Sequence, residues 1–326
     1  MSTSLKNWVA GARPRTLPAA VVPVVVGTAA GYLSSGHFYV TMITVGGRTF
    51  PAGALVQHHL QIINAVLALV IALAIQIGTN YVNDYSDGVR GTDDARVGPV
   101  RLTAGRLATA HEVKIAAAGA FAVAGVAGIV LAARVSWYLV PIGIVCVIAG
   151  WAYTGGPKPY GYYGFGELFV FVFFGLVATV GSAYVQHAPF ITVFQGHNYK
   201  YNYNWGFAFA AAIPIGLLAT GMLQANNLRD LETDTEAGKK TLAVRLGRQR
   251  AGFLYLGTLM ATALSIGILQ HFRGFVLLAF VGLPFAFYPI RLVISNRTGR
   301  RLLPMLGATA RLQLVIGLLI TVGILI

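Results

Sequence analysis

The chain has 326 residues, 56% of them hydrophobic and only 10% charged, and a mean hydropathy of +0.69, which excludes a soluble domain of this size. Its formal net charge of +14 comes from 24 Lys and Arg set against 10 Asp and Glu, but the basic residues stand singly between long apolar runs, which excludes nucleic acid as a partner. The lone cysteine, Cys146, excludes both a disulfide framework and a thiolate metal site.

Lys6, Arg13 and Arg15 precede an apolar run from Leu17 to Tyr32. The pattern imitates a signal peptide, yet Pro18 and Pro23 interrupt the run and more spans follow, so it reads as a retained first transmembrane helix. A helix needs about 20 apolar residues to cross about 30 Å of hydrocarbon. Nine stretches qualify: residues 16–34, 62–82, 111–133, 137–154, 166–186, 205–226, 251–270, 274–294 and 307–326. The chain is therefore read as all-α, a polytopic membrane protein with nine transmembrane helices, forming one bilayer-embedded domain over residues 1–326. Its many glycines and alanines suit close packing of helices in lipid.

Between the first two spans lies a polar connection, residues 36–61, and a second polar connection follows at 187–204. His58 and His59 are adjacent and so point apart on a helix; with no carboxylate beside them they make no metal site.

The end of the second span carries Asn80, Asn83, Asp84 and Asp87, at i, i+3, i+4 and i+7 on one helix face. Four polar groups on one stripe at a membrane helix end need water, a partner or an ion. Gly88 and Gly91 then permit a sharp turn toward Asp93 and Asp94, with Arg101 beyond. After the fourth span come Tyr153, Lys158, Tyr160, Tyr162 and Tyr163. An interfacial aromatic belt accounts for Tyr162 and Tyr163, whereas Tyr153 is the better candidate for a site. The sixth span ends in Asn226, Asn227, Arg229, Asp230 and Asp234, with Asn226, Asp230 and Asp234 repeating every fourth residue, followed by Lys239 and Lys240.

With a cytoplasmic N-terminus, every Lys and Arg except Arg48, Arg134, Lys200 and Arg273 falls on the cytoplasmic side, as the positive-inside rule demands. All ten acidic residues fall there too, although acids contribute little to topology. Both polar clusters thus sit at one membrane face, where they can converge across a helical bundle. Carboxylate and amide oxygens without His or Cys suit Mg²⁺, which keeps waters and binds phosphate oxygens. Arg101, Arg229, Lys239 and Lys240 are placed to donate to those oxygens, and Lys158 to a phosphate or a carboxylate.

The pattern NDxxDxxxGxD from Asn83 to Asp93, with DxxxDxxxG from Asp230 to Gly238, resembles the UbiA superfamily of intramembrane aromatic prenyltransferases, over nearly the whole chain. Arg13-Pro-Arg-Thr-Leu-Pro-Ala, Tyr153-Thr-Gly-Gly-Pro-Lys-Pro and Lys239-Lys-Thr-Leu-Ala-Val are similar to the branch that prenylates 1,4-dihydroxy-2-naphthoate in menaquinone synthesis. The resemblance implies a UbiA-like helical bundle in the cell (inner) membrane, its active-site mouth cytoplasmic. It implies that Asn83, Asp84, Asp87, Asp230 and Asp234 hold Mg²⁺, the four carboxylates being the catalytic acids. Asn80, Arg101, Tyr153, Lys158, Asn226, Asn227, Arg229 and Lys239 would bind substrate. Many relatives carry an acid where this chain has Gly91, and Asp93 comes two residues later.

The implied reaction joins a polyprenyl diphosphate to the naphthoate ring, with loss of diphosphate and CO₂. Sister enzymes use the same metal motifs on 4-hydroxybenzoate or other aromatic acceptors. A secondary transporter of an anion is the rival of another class; it predicts ionisable groups at mid-membrane, whereas the acids here cluster at helix ends.

Overall fold

The structure is a computed structural model that describes residues 3–34, 36–58, 60–91, 101–186, 191–194, 197–200, 205–295 and 297–326. Long apolar runs in lipid fold as helices because a helix satisfies its own backbone hydrogen bonds. In chain order these are α1 (Leu5–Gly11), α2 (Pro18–Ser34), α3 (Ile62–Val89), α4 (Ala110–Arg134), α5 (Leu139–Ala152), α6 (Gly166–Val170) and α7 (Ala178–Tyr184). There follow α8 (Trp205–Arg229), α9 (Leu231–Glu236), α10 (Leu242–Leu269), α11 (Pro284–Ile294) and α12 (Leu303–Leu325). A π-helical turn, Phe171–Val177, joins α6 to α7.

The nine expected spans are not all long enough. Six helices have the length and apolarity to cross a membrane: Ile62–Val89, Ala110–Arg134, Gly166–Tyr184, Trp205–Arg229, Leu242–Leu269 and Gly299–Leu325. The number rises to eight if each of two bent pairs counts as one span: Leu5–Thr16 with Pro18–Leu33, bent by 56°, and Gly274–Gly282 with Pro284–Ile294, bent by 48°. A proline stands at each bend, where its ring cannot continue the preceding helix. The expected fourth span shrinks to the 14 residues of α5, about 21 Å of helix, because the chain turns at Thr154-Gly-Gly-Pro, with Gly156 at φ +76°.

The polar connection after α2 forms a hairpin of β1 (Gly36–Val45) and β2 (Arg48–His58). Its two-residue turn is Gly46-Gly47, at φ +62° and +76°, the left-handed pair that suits the strand twist. A second hairpin pairs β3 (Ile191–Phe194) with β4 (His197–Lys200). His59 lies outside the described residues.

The membrane body packs around α8, the most buried of these six helices. Ile215 and Leu218 of α8 are fully buried, and Tyr255 of α10 shares a 2.8 Å hydrogen bond with Thr309 of α12. α2 lies directly on α7: a Cβ at Gly27 would come within 2.2 Å of the Thr179 carbonyl oxygen, and one at Gly31 within 2.3 Å of that of Ala183. Backbone cannot yield as a flexible side chain does. Gly31→Val is therefore expected to destabilise the fold by about 3 kcal/mol, read as a lower thermal midpoint in detergent. Gly119→Ala, on the open side of α4 where nothing lies within 4 Å of the added carbon, is expected to leave the midpoint unchanged or raise it slightly.

Candidate active site

α3 extends past its apolar run and carries Asn80, Asn83, Asp84 and Asp87 to its last turns. The stripe divides among several neighbours. Asn80 donates through Nδ2 to the Ala12 carbonyl oxygen at 2.9 Å and to Thr16 Oγ1 at 3.0 Å, tying α3 to the segment before α2. Asn83 Oδ1 accepts from the Thr154 hydroxyl. Both oxygens of Asp84 accept backbone N–H groups, from Leu102 and from Thr103, each at 2.8 Å. Asp84 thereby anchors the loop that carries Arg101. Asp93 and Asp94 lie outside the described residues.

The second cluster is broken by the end of a helix, so Asn226, Asp230 and Asp234 do not share one uninterrupted face. α8 stops at Arg229 and α9 starts at Leu231, Asp230 standing between them at φ −92°, ψ 6°. Arg229 grips Asp230 with two charge-assisted bonds, Nε to Oδ1 at 2.7 Å and Nη2 to Oδ2 at 2.6 Å, and its Nη2 also reaches Asn226 Oδ1 at 2.5 Å. Asn227 turns away and donates to Glu167 Oε1 at 3.0 Å.

One ammonium joins the two clusters. Lys239 Nζ lies 3.2 Å from Asp87 Oδ1 and 3.6 Å from Asp234 Oδ1, so carboxylates 147 positions apart in the numbering of α3 and α9 share a cation. Arg101 Nη2 approaches Asp87 Oδ2 at 3.6 Å. The Tyr162 hydroxyl donates to Asp87 Oδ1, and its ring lies 4.7 Å from Lys239 Nζ. Asp87, Asp234 and Lys239 are all buried, and charges so placed persist only when paired. Arg90 holds the loop bearing Tyr162 by donating to the Thr154 and Gly156 carbonyl oxygens at 2.7 and 2.5 Å.

From this polar cluster a cavity of about 660 Å³ runs into the membrane body. Asn80, Asn83, Tyr153 and Asn226 border it, and the remainder is mostly apolar, from residues such as Ile75, Phe121, Ile144, Phe173 and Met222. An aromatic series follows one wall: Tyr153 edge-on to Tyr160 at 5.5 Å, Tyr160 stacked on Phe169 at 3.9 Å, and Phe169 on Phe173 at 5.9 Å. The Tyr160 hydroxyl donates to the Ala149 carbonyl oxygen at 2.8 Å, and burial pushes its phenol above the ordinary value, which keeps that donor protonated.

Of the site residues expected from sequence, Asp87, Arg101, Asp234 and Lys239 meet directly. Asn80, Asn83, Tyr153 and Asn226 line the adjoining cavity. Asp84 bonds the backbone of Leu102 and Thr103, Asp230 pairs with Arg229, and Asn227 bonds Glu167. Lys158 and Lys240 are exposed, and Lys158 does not border the cavity. Tyr163 is exposed, as an interfacial residue should be, but Tyr162 is bonded to Asp87 and does not belong to a belt. The sequence reading also passed over Glu167, a buried carboxylate at the start of α6; its signal was an acid opening an apolar span away from both clusters.

The donors are oxygens, the chemistry that Mg²⁺ prefers. Among the described residues no three Asp, Glu, His or Cys side chains are grouped to hold a metal by themselves. Carboxylates on separate helices that face one shared cation fit the other mode of Mg²⁺ binding, in which water and substrate phosphate complete the coordination.

Residues 40–306 match the model of the UbiA prenyltransferase family. The chain is 42% identical over 315 residues to the 1,4-dihydroxy-2-naphthoate octaprenyltransferase of Mycobacterium tuberculosis, covering 96% of this chain and 94% of that one. It is 32% identical to the Escherichia coli protein of the same name, covering 97% and 94%. Its fold is similar to that of a UbiA homolog from Archaeoglobus fulgidus bound to DMAPP and Mg²⁺, with a TM-score of 0.60, 14% identity, and coverage of 97% of this chain and 99% of that one. With its acidic helix ends meeting over a membrane cavity, the chain belongs to the UbiA prenyltransferase family.

Proposed function

We propose that this protein transfers a polyprenyl group from an allylic polyprenyl diphosphate to 1,4-dihydroxy-2-naphthoate, releasing diphosphate and CO₂ and giving the reduced, naphthalenediol form of demethylmenaquinone. The observation that carries the reading is Lys239, whose ammonium touches carboxylates from both polar clusters, the same clusters whose Asn83 and Asn226 line the apolar cavity. The names of the relatives at 42% and 32% identity support the acceptor.

Asp87 and Asp234, with Asn83 beside them, are the groups that would hold Mg²⁺, while Asp230 and Asp84 keep Arg229 and the Arg101 loop in position. When bound with the diphosphate, Mg²⁺ supplies Lewis acidity that neutralises charge on the leaving group. Arg101, Arg229 and Lys239 donate to the diphosphate oxygens. The allylic C–O bond breaks with its electron pair going to diphosphate; the acceptor ring forms the new C–C bond, and its C–CO₂⁻ bond breaks as CO₂ leaves, that electron pair restoring the aromatic ring. The apolar cavity takes the prenyl chain and excludes water from the cationic allyl, and the faces of Tyr153, Tyr160 and Phe169 stabilise that charge.

The whole chain acts as one membrane domain, its site open to the cytoplasmic face of the inner membrane, where the Lys and Arg bias puts both helix ends. The full chain in detergent, given Mg²⁺ and a long-chain allylic diphosphate, is expected to prenylate 1,4-dihydroxy-2-naphthoate in preference to 4-hydroxybenzoate. Prenylation of the benzoate alone would replace the acceptor and leave the reaction type standing.

A further inference from the structure

Nearly all charges of the site lie outside the cavity, paired around Lys239 and Arg229. Among the described residues that line the cavity, Arg13 is the only charged one. Its Nε and Nη2 are buried and have no hydrogen-bond partner among the described residues. Guanidinium donors facing an apolar chamber cost free energy unless an anion meets them.

The chain holds Arg13 there deliberately on both sides. Its backbone is left-handed at φ +53°, a conformation that a non-glycine residue keeps only when its surroundings impose it. Thr16 Oγ1 donates to the Arg13 carbonyl oxygen at 2.9 Å, and that same Oγ1 accepts from Gln76 Nε2 at 3.1 Å and Asn80 Nδ2 at 3.0 Å. Asn80 also fixes the preceding residue, Ala12. Two side chains of α3 therefore clamp the segment that presents the guanidinium.

Asn80, next to Arg13, and Asp87 lie seven residues apart on α3, about 10 Å along the helix. That separation accommodates a carboxylate at Arg13, the ring edge that bears it, the allylic carbon and a diphosphate at Asp87 in succession. We propose that Arg13 recognises the carboxylate of the aromatic acceptor and so selects acidic rings over neutral ones. This rests on the reading of the site as one for aromatic prenyl transfer.

The test is equilibrium binding to the full chain in detergent, comparing 1,4-dihydroxy-2-naphthoate with 1,4-dihydroxynaphthalene, and 4-hydroxybenzoate with phenol. In the native chain the carboxylated member of at least one pair is expected to bind ~10- to 100-fold more tightly. Arg13→Gln is expected to erase that preference, weakening only the carboxylated ligand and leaving affinity for the prenyl diphosphate unchanged. Arg13→Lys, which keeps the charge, is expected to retain part of the preference and serves if the Gln variant does not fold. Equal loss for both members of a pair, a loss confined to the prenyl diphosphate, or no carboxylate preference in the native chain would overturn the assignment. Carboxylate preference for 4-hydroxybenzoate without any for the naphthoate would overturn the proposed acceptor and uphold the role of Arg13.

Discussion

Asp87→Asn is expected to lower kcat/KM for prenyl transfer by ~10³-fold, about 4 kcal/mol of transition-state stabilisation, in a protein that remains inserted and folded. Asp87 is where the site's elements meet: α3 supplies the carboxylate, Tyr162 donates to it, and Lys239 and Arg101 bring their charges to its two oxygens. Asparagine keeps one acceptor oxygen for Tyr162 and Lys239, so the local packing survives. The charge that a divalent ion needs does not. Initial rates across a Mg²⁺ titration check this, and near-native rates at limiting Mg²⁺ would contradict a metal-binding role.

Asp84→Asn, only three residues away on α3, is expected to fail differently. Each Asp84 oxygen accepts a backbone N–H, so an amide NH₂ would confront one of those donors and leave it unsatisfied in a buried place. The cost is about 3 kcal/mol, and it falls on the Leu102–Thr103 turn that sets Arg101 opposite Asp87. The expected signature is a lowered thermal midpoint together with a raised KM for the prenyl diphosphate that added Mg²⁺ does not restore. A native midpoint with activity recovered at high Mg²⁺ would return Asp84 to the metal ligands.

These two acids show what was legible in the sequence. The spacing of Asn83, Asp84 and Asp87, and the matching run at Asp230 and Asp234, marked both helix ends that the structure brings together through Lys239. Spacing along one helix does not reveal which neighbour each side chain meets. The partners of Asp84 come from a loop 18 and 19 residues further on, and Tyr162 reaches Asp87 across 75 residues. Helix periodicity likewise grouped Asn226, Asp230 and Asp234 on one face, but the helix breaks at Asp230.

Hydropathy located every apolar run, yet it reports neither bends nor turns, which is why nine expected spans resolve into six full-length helices, two bent pairs and the short α5. The hairpin after α2 was readable: a run of β-branched and aromatic residues from Phe38 to Val45 meets Gly46-Gly47, a strong turn signal. Treating that connection as merely polar concealed it. Lys158 was attractive because it stands in a motif shared with the family, but Gly156 and the flanking prolines turn its side chain to solvent.

The most direct measurement is an experimental structure of the full chain with an unreactive prenyl thiodiphosphate and Mn²⁺, whose anomalous signal locates the metal. Metal between Asp87 and Asp234, with the thiodiphosphate bridging α3 and α9 and its chain in the cavity, is the predicted result. Metal bound to one helix end alone, or a diphosphate seated away from Lys239, would contradict it.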